Sequence, residues 1–292
     1  MAIESVLLIV LAAGVMLSLA IVMTFILGWA NKALHVEVDQ KVQAVDAVLP
    51  GANCGGCGYL GCSDYAEAVV NDGIAPNLCP VGGEKISNAV ANILGVELGD
   101  VIPMRPAIYC MAKCGQKPGS HEYRGEQTCA TASLVGGYQG CVYGCLGLGD
   151  CCDVCLFDAI HIVDDMVQVD YRKCVGCGAC VKACPRDIIA NVPFKDDQMY
   201  SIACRNTEKG KDVKEVCSLG CRGCSICQRL TDGLIVMKEG VATFDYDKYD
   251  PGTVEEILEP VLKKCPSSIV FHKIGVPEKD EPKDDPEPPV KD

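Results

Sequence analysis

How its 22 cysteines are spaced restricts this chain more than any other feature. Cys174, Cys177, Cys180 and Cys184 form C-x2-C-x2-C-x3-C-P, Cys221, Cys224 and Cys227 form C-x2-C-x2-C, and Cys54, Cys57 and Cys62 form C-x2-C-x4-C. Thiols this close span rings too small for easy disulfides but converge readily on one metal centre. About one residue in thirteen is cysteine, a density that means a disulfide scaffold or a metal protein. Disulfide scaffolds are short and irregularly spaced, whereas this chain has 292 residues and repeated motifs, so it is read as a metal protein of a reducing compartment. Only 5% of its residues are aromatic, and metal centres would supply stability that a sparse core does not. A net charge of −13 without a basic stripe excludes a nucleic-acid partner.

Between Glu4 and Lys32 run 27 uncharged residues, SVLLIVLAAGVMLSLAIVMTFILGWAN. As a helix they would span about 40 Å, more than the roughly 30 Å hydrocarbon core of a bilayer. A cleaved signal peptide wants a basic start and a short apolar core, and neither is present. Residues 1–31 are therefore read as a single membrane anchor, with Trp29 at the interface and Lys32 and Lys41 placing the remainder on the cytoplasmic side. Residues 31–47 read as a short helical stalk in which His35 is an exposed residue rather than a ligand.

The stretch GANCGGCGYLGC, with Cys79 downstream, offers four ligands: Cys54, Cys57, Cys62 and Cys79. Four thiolates suit a [4Fe-4S] cluster or a structural zinc. The surrounding glycines favour the cluster, because they let backbone N–H groups turn towards sulfur. The formal GxGxxG at Gly56–Gly61 follows no strand and overlaps the cysteines, so it is not read as a dinucleotide loop.

The run ending in Cys184-Pro185 is that of bacterial two-cluster ferredoxins, in which the fourth cysteine ligates the other cluster. Its counterpart upstream, CVYGCLGLGDCCDVC, is stretched and has Leu156 in place of the proline. Cys151 rather than Cys152 keeps the three-residue step to Cys155, and CLFDAI (155–160) parallels CPRDII (184–189). The expected sets are Cys141, Cys145 and Cys151 with Cys184, and Cys174, Cys177 and Cys180 with Cys155.

A second such unit follows in degenerate form. After Cys221, Cys224 and Cys227, Thr231 stands where the fourth cysteine belongs, and FDYDKY (244–249) puts Tyr249 where VDYRKC (169–174) has Cys174. KKCPSSIV (263–270) still aligns with KACPRDII (182–189), so Cys265 is expected to complete the cluster of Cys221, Cys224 and Cys227. Of the remaining cysteines, Cys114, Cys129, Cys204 and Cys217 are taken as a fifth set, with zinc or spare thiols open as alternatives there. Cys110 and Cys152 are left over. His35, His121, His161 and His272 are scattered and read as structural.

The expected fold class is α+β: a transmembrane helix, a small mostly helical four-cysteine domain, then two ferredoxin-like units, the second degenerate. The boundaries are 1–31 anchor, 32–100 stalk and four-cysteine domain, 101–137 connecting segment, 138–205 two-cluster unit, 206–275 one-cluster unit, and 276–292 a disordered acidic, proline-rich tail. Four [4Fe-4S] clusters are expected, with a fifth at the last set.

This order of modules, and above all GANCGGCGYLGCSDYAEAV and GCLGLGDC, resembles the B subunit of the Rnf complex, the membrane ferredoxin:NAD oxidoreductase that exports sodium ions or protons. The resemblance covers nearly the whole chain. It implies an iron–sulfur subunit that accepts electrons from soluble ferredoxin and relays them to flavin-carrying, NADH-binding and ion-translocating subunits at the inner (cytoplasmic) membrane. The family's ligands fall on Cys54, Cys57, Cys62 and Cys79 and on the eight from Cys141 to Cys184 named above. Longer members often keep cysteines at the places of Thr231 and Tyr249, so this copy is a cluster shorter. No catalytic constellation is found in this chain alone. The alternatives are an electron-transfer subunit of another membrane oxidoreductase such as a hydrogenase, and a corrinoid partner, for which no cobalamin domain is present.

Overall fold

The computed structural model describes residues 2–33, 39–99, 102–119, 121–136, 138–267 and 270–276. His35 and the tail after residue 276 lie outside the described residues, as do residues 34–38 of the expected stalk. Helix α1 (Ala2–Ala33) carries the uncharged run, two residues past the expected boundary. Within it Val10–Ala33 is long and apolar enough to cross a membrane, and none of it is buried against the rest of the chain.

Three helices follow: α2 (Gln40–Val48), α3 (Cys62–Asn71) and α4 (Gly83–Leu94). Asp39 caps α2 through a 2.8 Å bond from Lys41 N–H to its carboxylate, and Gly95, in the left-handed region at φ 72°, ends α4. Their apolar faces bury Val42, Val45, Tyr65, Val69 and Val90 together with Cys79. Tyr65 ties the loop before Cys79: its hydroxyl donates to Ala75 O (2.9 Å) and accepts from Leu78 N–H (3.2 Å).

The remainder comprises β1 (Met104–Ile108), the 3-10 turn η1 (Cys114–Gln116), α5 (Cys129–Ser133), α6 (Asp150–Asp153), β2 (Ile160–Val163), β3 (Met166–Val169), α7 (Ala179–Ala183) and β4 (Ile189–Pro193). It continues through β5 (Gln198–Ile202), α8 (Gly210–Val216), α9 (Ile226–Leu230), β6 (Ile235–Lys238), β7 (Val241–Phe244), α10 (Val254–Lys264) and β8 (Phe271–Gly275). The strands form four antiparallel pairs: β1 with β4, β2 with β3, β5 with β8, and β6 with β7. One order therefore occurs twice, β1–α6–β2–β3–α7–β4 and β5–α9–β6–β7–α10–β8. Two-residue turns with both φ angles positive join the inner hairpins, Asp164–Asp165 (52° and 62°) and Glu239–Gly240 (49° and 85°). The sequence reading starts the first unit at residue 138, but β1 lies in the segment taken as a connector. Its pairing with β4, Met104 opposite Pro193 through Ile108 opposite Ile189, ties that segment to the unit.

The largest of the buried clusters lies mostly in the second unit, with Leu258, Val261, Ile235, Phe244 and Tyr249 among its members, and takes in Ala107, Val192 and Phe194 from the first. Thr231 is buried there, its hydroxyl donating to Cys227 O (2.9 Å) and accepting from Ile235 N–H (3.1 Å). Tyr249 is 2% exposed and its hydroxyl accepts from Tyr200 N–H (2.7 Å). At the two positions where cysteines would have held a further cluster, side chains pack and hydrogen-bond instead.

Candidate metal centres

Sixteen of the 22 cysteines line four cavities, four to each, named here sites II to V, and the four expected to act together near the N-terminus are named site I. Site I combines Cys54, Cys57 and Cys62 with Cys79. Cys57, Cys62 and Cys79 share the three-helix core, and Cys54 sits beside Asn53, whose carboxamide accepts from Cys62 N–H (2.8 Å) across the loop. Burial pushes the Cys79 thiol up, opposed by N–H groups of Gly82 and Val81 that point at its sulfur.

Site II is a cavity lined by Cys155, Cys174, Cys177 and Cys180. Gly178 N-caps α7 in the left-handed region (φ 75°), which turns the chain so that Cys177 and Cys180 face one space. Burial raises the Cys180 thiol to about 12, with the neighbouring Cys174 and Cys177 adding to the shift. Ala159 N–H lies 3.4 Å from the Cys155 sulfur.

Site III is lined by Cys129, Cys145, Cys151 and Cys184. The sequence reading places Cys141 here, but the structure brings Cys129 in its stead. Asp150 is the cause: its carboxylate accepts from Cys129 N–H (2.6 Å) and Ala130 N–H (3.0 Å), fixing the start of α5 against α6. Backbone N–H groups of Leu148, Gly149 and Asp150 face the Cys129 sulfur. Burial lifts Cys145 to about 11 and pushes Cys151 up further.

Site IV is lined by Cys110, Cys141, Cys204 and Cys217. The expected fifth set pairs Cys204 and Cys217 with Cys114 and Cys129. The structure instead puts Cys129 on site III and Cys114 on η1, where Gln139 Nε2 approaches its sulfur at 3.7 Å and the cavities of sites II to V do not include it. Asn206 Nδ2 lies 3.5 Å from the Cys141 sulfur, and Cys221 N–H donates to the Cys204 sulfur at 3.2 Å. Burial lifts Cys204 to about 11.

Site V is lined by Cys221, Cys224, Cys227 and Cys265, so the lone Cys265 does stand with the C-x2-C-x2-C run. Ser225 takes the left-handed conformation (φ 58°) at the start of α9, as Gly178 does before α7. Cys224 is exposed, which opens this site to solvent.

The donor sets fit iron–sulfur clusters. All are thiolate-only, with backbone N–H groups facing several of the sulfurs, the arrangement that holds and tunes such clusters. A tetrahedral zinc would hold its sulfurs about 3.8 Å apart, given a Zn–S length near 2.3 Å. Among the described residues no three Cys, His, Asp or Glu side chains converge closely enough for a single ion. Buried thiols with raised pKa values lose protons when metal binds, so loading couples to pH. A groove of about 1000 Å³ carries Arg172, Asp196, Asp197, Glu255 and Lys273 and no cysteine.

Comparison with known proteins finds iron–sulfur families over two stretches of the chain. The Fe-S cluster family matches residues 49–81 and the 4Fe-4S binding domain family matches residues 167–190. The B subunit of the Na(+)-translocating ferredoxin:NAD(+) oxidoreductase complex of Acetobacterium woodii is 39% identical over 244 residues, 82% of this chain and 71% of that one. The B subunit of the ion-translocating oxidoreductase complex of Methanosarcina acetivorans is 34% identical over 75% of this chain and 83% of its own. The B subunit of the proton-translocating ferredoxin:NAD(+) oxidoreductase complex of Clostridium ljungdahlii is 35% identical over 71% and 73%.

Proposed function

The chain belongs to the B-subunit family of ion-translocating oxidoreductase complexes, and on that premise we propose that it is the membrane-anchored electron relay between reduced ferredoxin and the flavin-carrying, NADH-binding and ion-translocating subunits of such a complex. The observation that carries the reading is the sorting of sixteen cysteines, four by four, around sites II to V. A [4Fe-4S] cluster at a site supplies one-electron transfer. The chain's own part is to hold the thiolates, turn N–H groups towards sulfur and keep most of the sites apolar. Cys57, Cys62 and Cys79 of site I pack with α2, α3 and α4, and the loop that carries Cys54 and Cys57 approaches Cys177 of the first unit at Gly56.

Helix α1 anchors the protein in the cytoplasmic membrane with the cysteine-bearing part facing the cytoplasm. Lys32 in its last turn and the reducing chemistry that free thiols require support that side. At most about 25 Å of extended chain separates the end of α1 from α2, so site I is the membrane-proximal end. Site V, with its exposed Cys224, is the end open to a soluble protein such as ferredoxin.

The test uses the full-length protein, purified anaerobically in detergent with its partner subunits. Reduced ferredoxin should bleach its iron–sulfur absorbance and raise the EPR signals of reduced [4Fe-4S] clusters. Clusters that a chemical reductant reduces but reduced ferredoxin leaves oxidised would sink the reading.

A further inference from the structure

We propose that site IV is a fifth [4Fe-4S] site built jointly by the two units, with Cys110 and Cys141 from the first and Cys204 and Cys217 from the second, and that Cys129 replaces Cys141 at site III. The proposal rests on the electron-relay reading and extends it.

Three observations carry it. First, the four thiols line one cavity, and Cys141 and Cys217 share a small buried cluster against which Cys110 packs. Second, the donors are placed equivalently in the two units. Cys110 follows the end of β1 by two residues, and Cys204 follows the end of β5 by two. Cys141 precedes Cys145 in CVYGC as Cys217 precedes Cys221 in CSLGC, with glycine before the second cysteine each time. Third, the same register accounts for site III. Cys145 and Cys151 are six apart, as are Cys221 and Cys227, and Leu148 falls where Cys224 stands. The first unit therefore lacks the middle cysteine of its run, and Cys129 lines the cavity in its absence, held by Asp150. Cys141 is then released to site IV, where Asn206 contacts its sulfur.

Site IV also closes the only gap between the units in the succession of described thiol sites. Cys151 and Cys155, and Cys180 and Cys184, connect sites II and III. Cys141 and Cys145 lie one turn apart between sites III and IV. Cys217 and Cys221 do the same between sites IV and V, where Cys221 N–H bonds the Cys204 sulfur. A relay there passes one electron in and one electron out, with no bond made or broken.

The test begins with native mass spectrometry and iron analysis of the full-length protein. Five clusters, about 20 irons per chain, are expected. Four clusters, about 16 irons, with reduction by ferredoxin intact, would overturn the fifth site and spare the electron-relay reading. Single variants then assign the ligands. C110S, C141S, C204S and C217S should each remove the same EPR signal and about four irons, while C114S and C152S remove none. C129S should remove the signal that C145S removes. If C141S and C145S abolish one and the same signal, or if C114S rather than C110S costs the cluster, the assignment is wrong. The wild-type mass decides the count even where a variant does not fold.

Discussion

Gly56 and Cys177 meet backbone to backbone: a β-carbon on Gly56 would lie 3.0 Å from both the Cα and the carbonyl oxygen of Cys177, and 2.8 Å from Cγ of Pro80. The loop of site I is thereby seated on the loop of site II, two ligand runs distant in sequence. Gly56→Ala should push the two apart, at a cost of about 1–3 kcal/mol for overpacking. The variant should keep its full iron complement, because no thiol is changed. Its site I signal should appear more slowly than in wild type when the anaerobic protein is reduced by ferredoxin in rapid-freeze EPR. Equal rates would mean that this contact does not set the hand-off.

Cys265 is the C-cap of α10, and its N–H is bonded to Val261 O (2.8 Å), so its thiol is delivered to site V by the helix end. Cys265→Ser should lose or weaken the site V cluster alone, because a serine oxygen is a poor ligand for iron that prefers thiolate. The signals of sites II and III should persist. An unchanged iron content with every EPR signal intact would make Cys265 a structural thiol.

The groupings at sites II and V coincide with cysteine spacing, because each run of three sits on one turn-and-helix and its fourth member follows the other helix of the same unit, Cys155 after α6 and Cys265 after α10. Site III is different. Cys129 comes from α5, outside the run, and reaches the cavity through a carboxylate cap on Asp150 that no spacing encodes. Site IV is half legible. The sequence reading groups Cys204 with Cys217, which frame the connection between the units, but takes Cys114 and Cys129 as their partners, since an isolated thiol gives no local signal of which cavity it faces. The repeated CVYGC and CSLGC, and the strands ending two residues before Cys110 and Cys204, are the signals that identify the other pair. The β1–β4 pairing is hidden because β1 is five residues long and contains Pro106, which reads as a break rather than a strand.

Tyr249 occupies the position at which the first unit has Cys174, and it fills that place by packing. Its ring meets Phe244 edge-on at 5.6 Å and 78°, and its hydroxyl accepts from Tyr200 N–H. Tyr249→Ala should destabilise the second unit by about 3–5 kcal/mol. Tyr249→Phe should cost about 1–3 kcal/mol, the penalty of leaving that N–H without its partner. Tyr249→Cys should recruit no additional iron, since Thr231 and the segment DPGTVEE (250–256) supply no further thiols. Denaturant melts monitored by the site V signal measure the first two, and iron analysis the third. A new cluster in Tyr249→Cys would show that the ancestral site persists.

Lys117 is 1% exposed and lines site IV, and its ammonium donates to Cys145 O at 2.6 Å, so one buried cation stands between sites III and IV. Arg186 adds a second cation on the same side, donating to the carbonyls of Cys141 (3.1 Å) and Gly144 (2.9 Å). A thiolate-ligated cluster gains negative charge on reduction, and a nearby buried cation stabilises that reduced form more than the oxidised one. Lys117→Met should therefore lower the midpoint potentials of sites III and IV and leave sites I, II and V where they are. Arg186→Met should do the same more weakly, because its guanidinium is only half buried and screened in part by solvent. Iron content should stay at the wild-type value in both, which separates a shift in potential from loss of a cluster. An EPR-monitored redox titration of the anaerobic full-length protein reads this directly. Midpoints unchanged in Lys117→Met would show that its charge is already neutralised within the fold and that the ammonium serves only to hold the loop of Cys145.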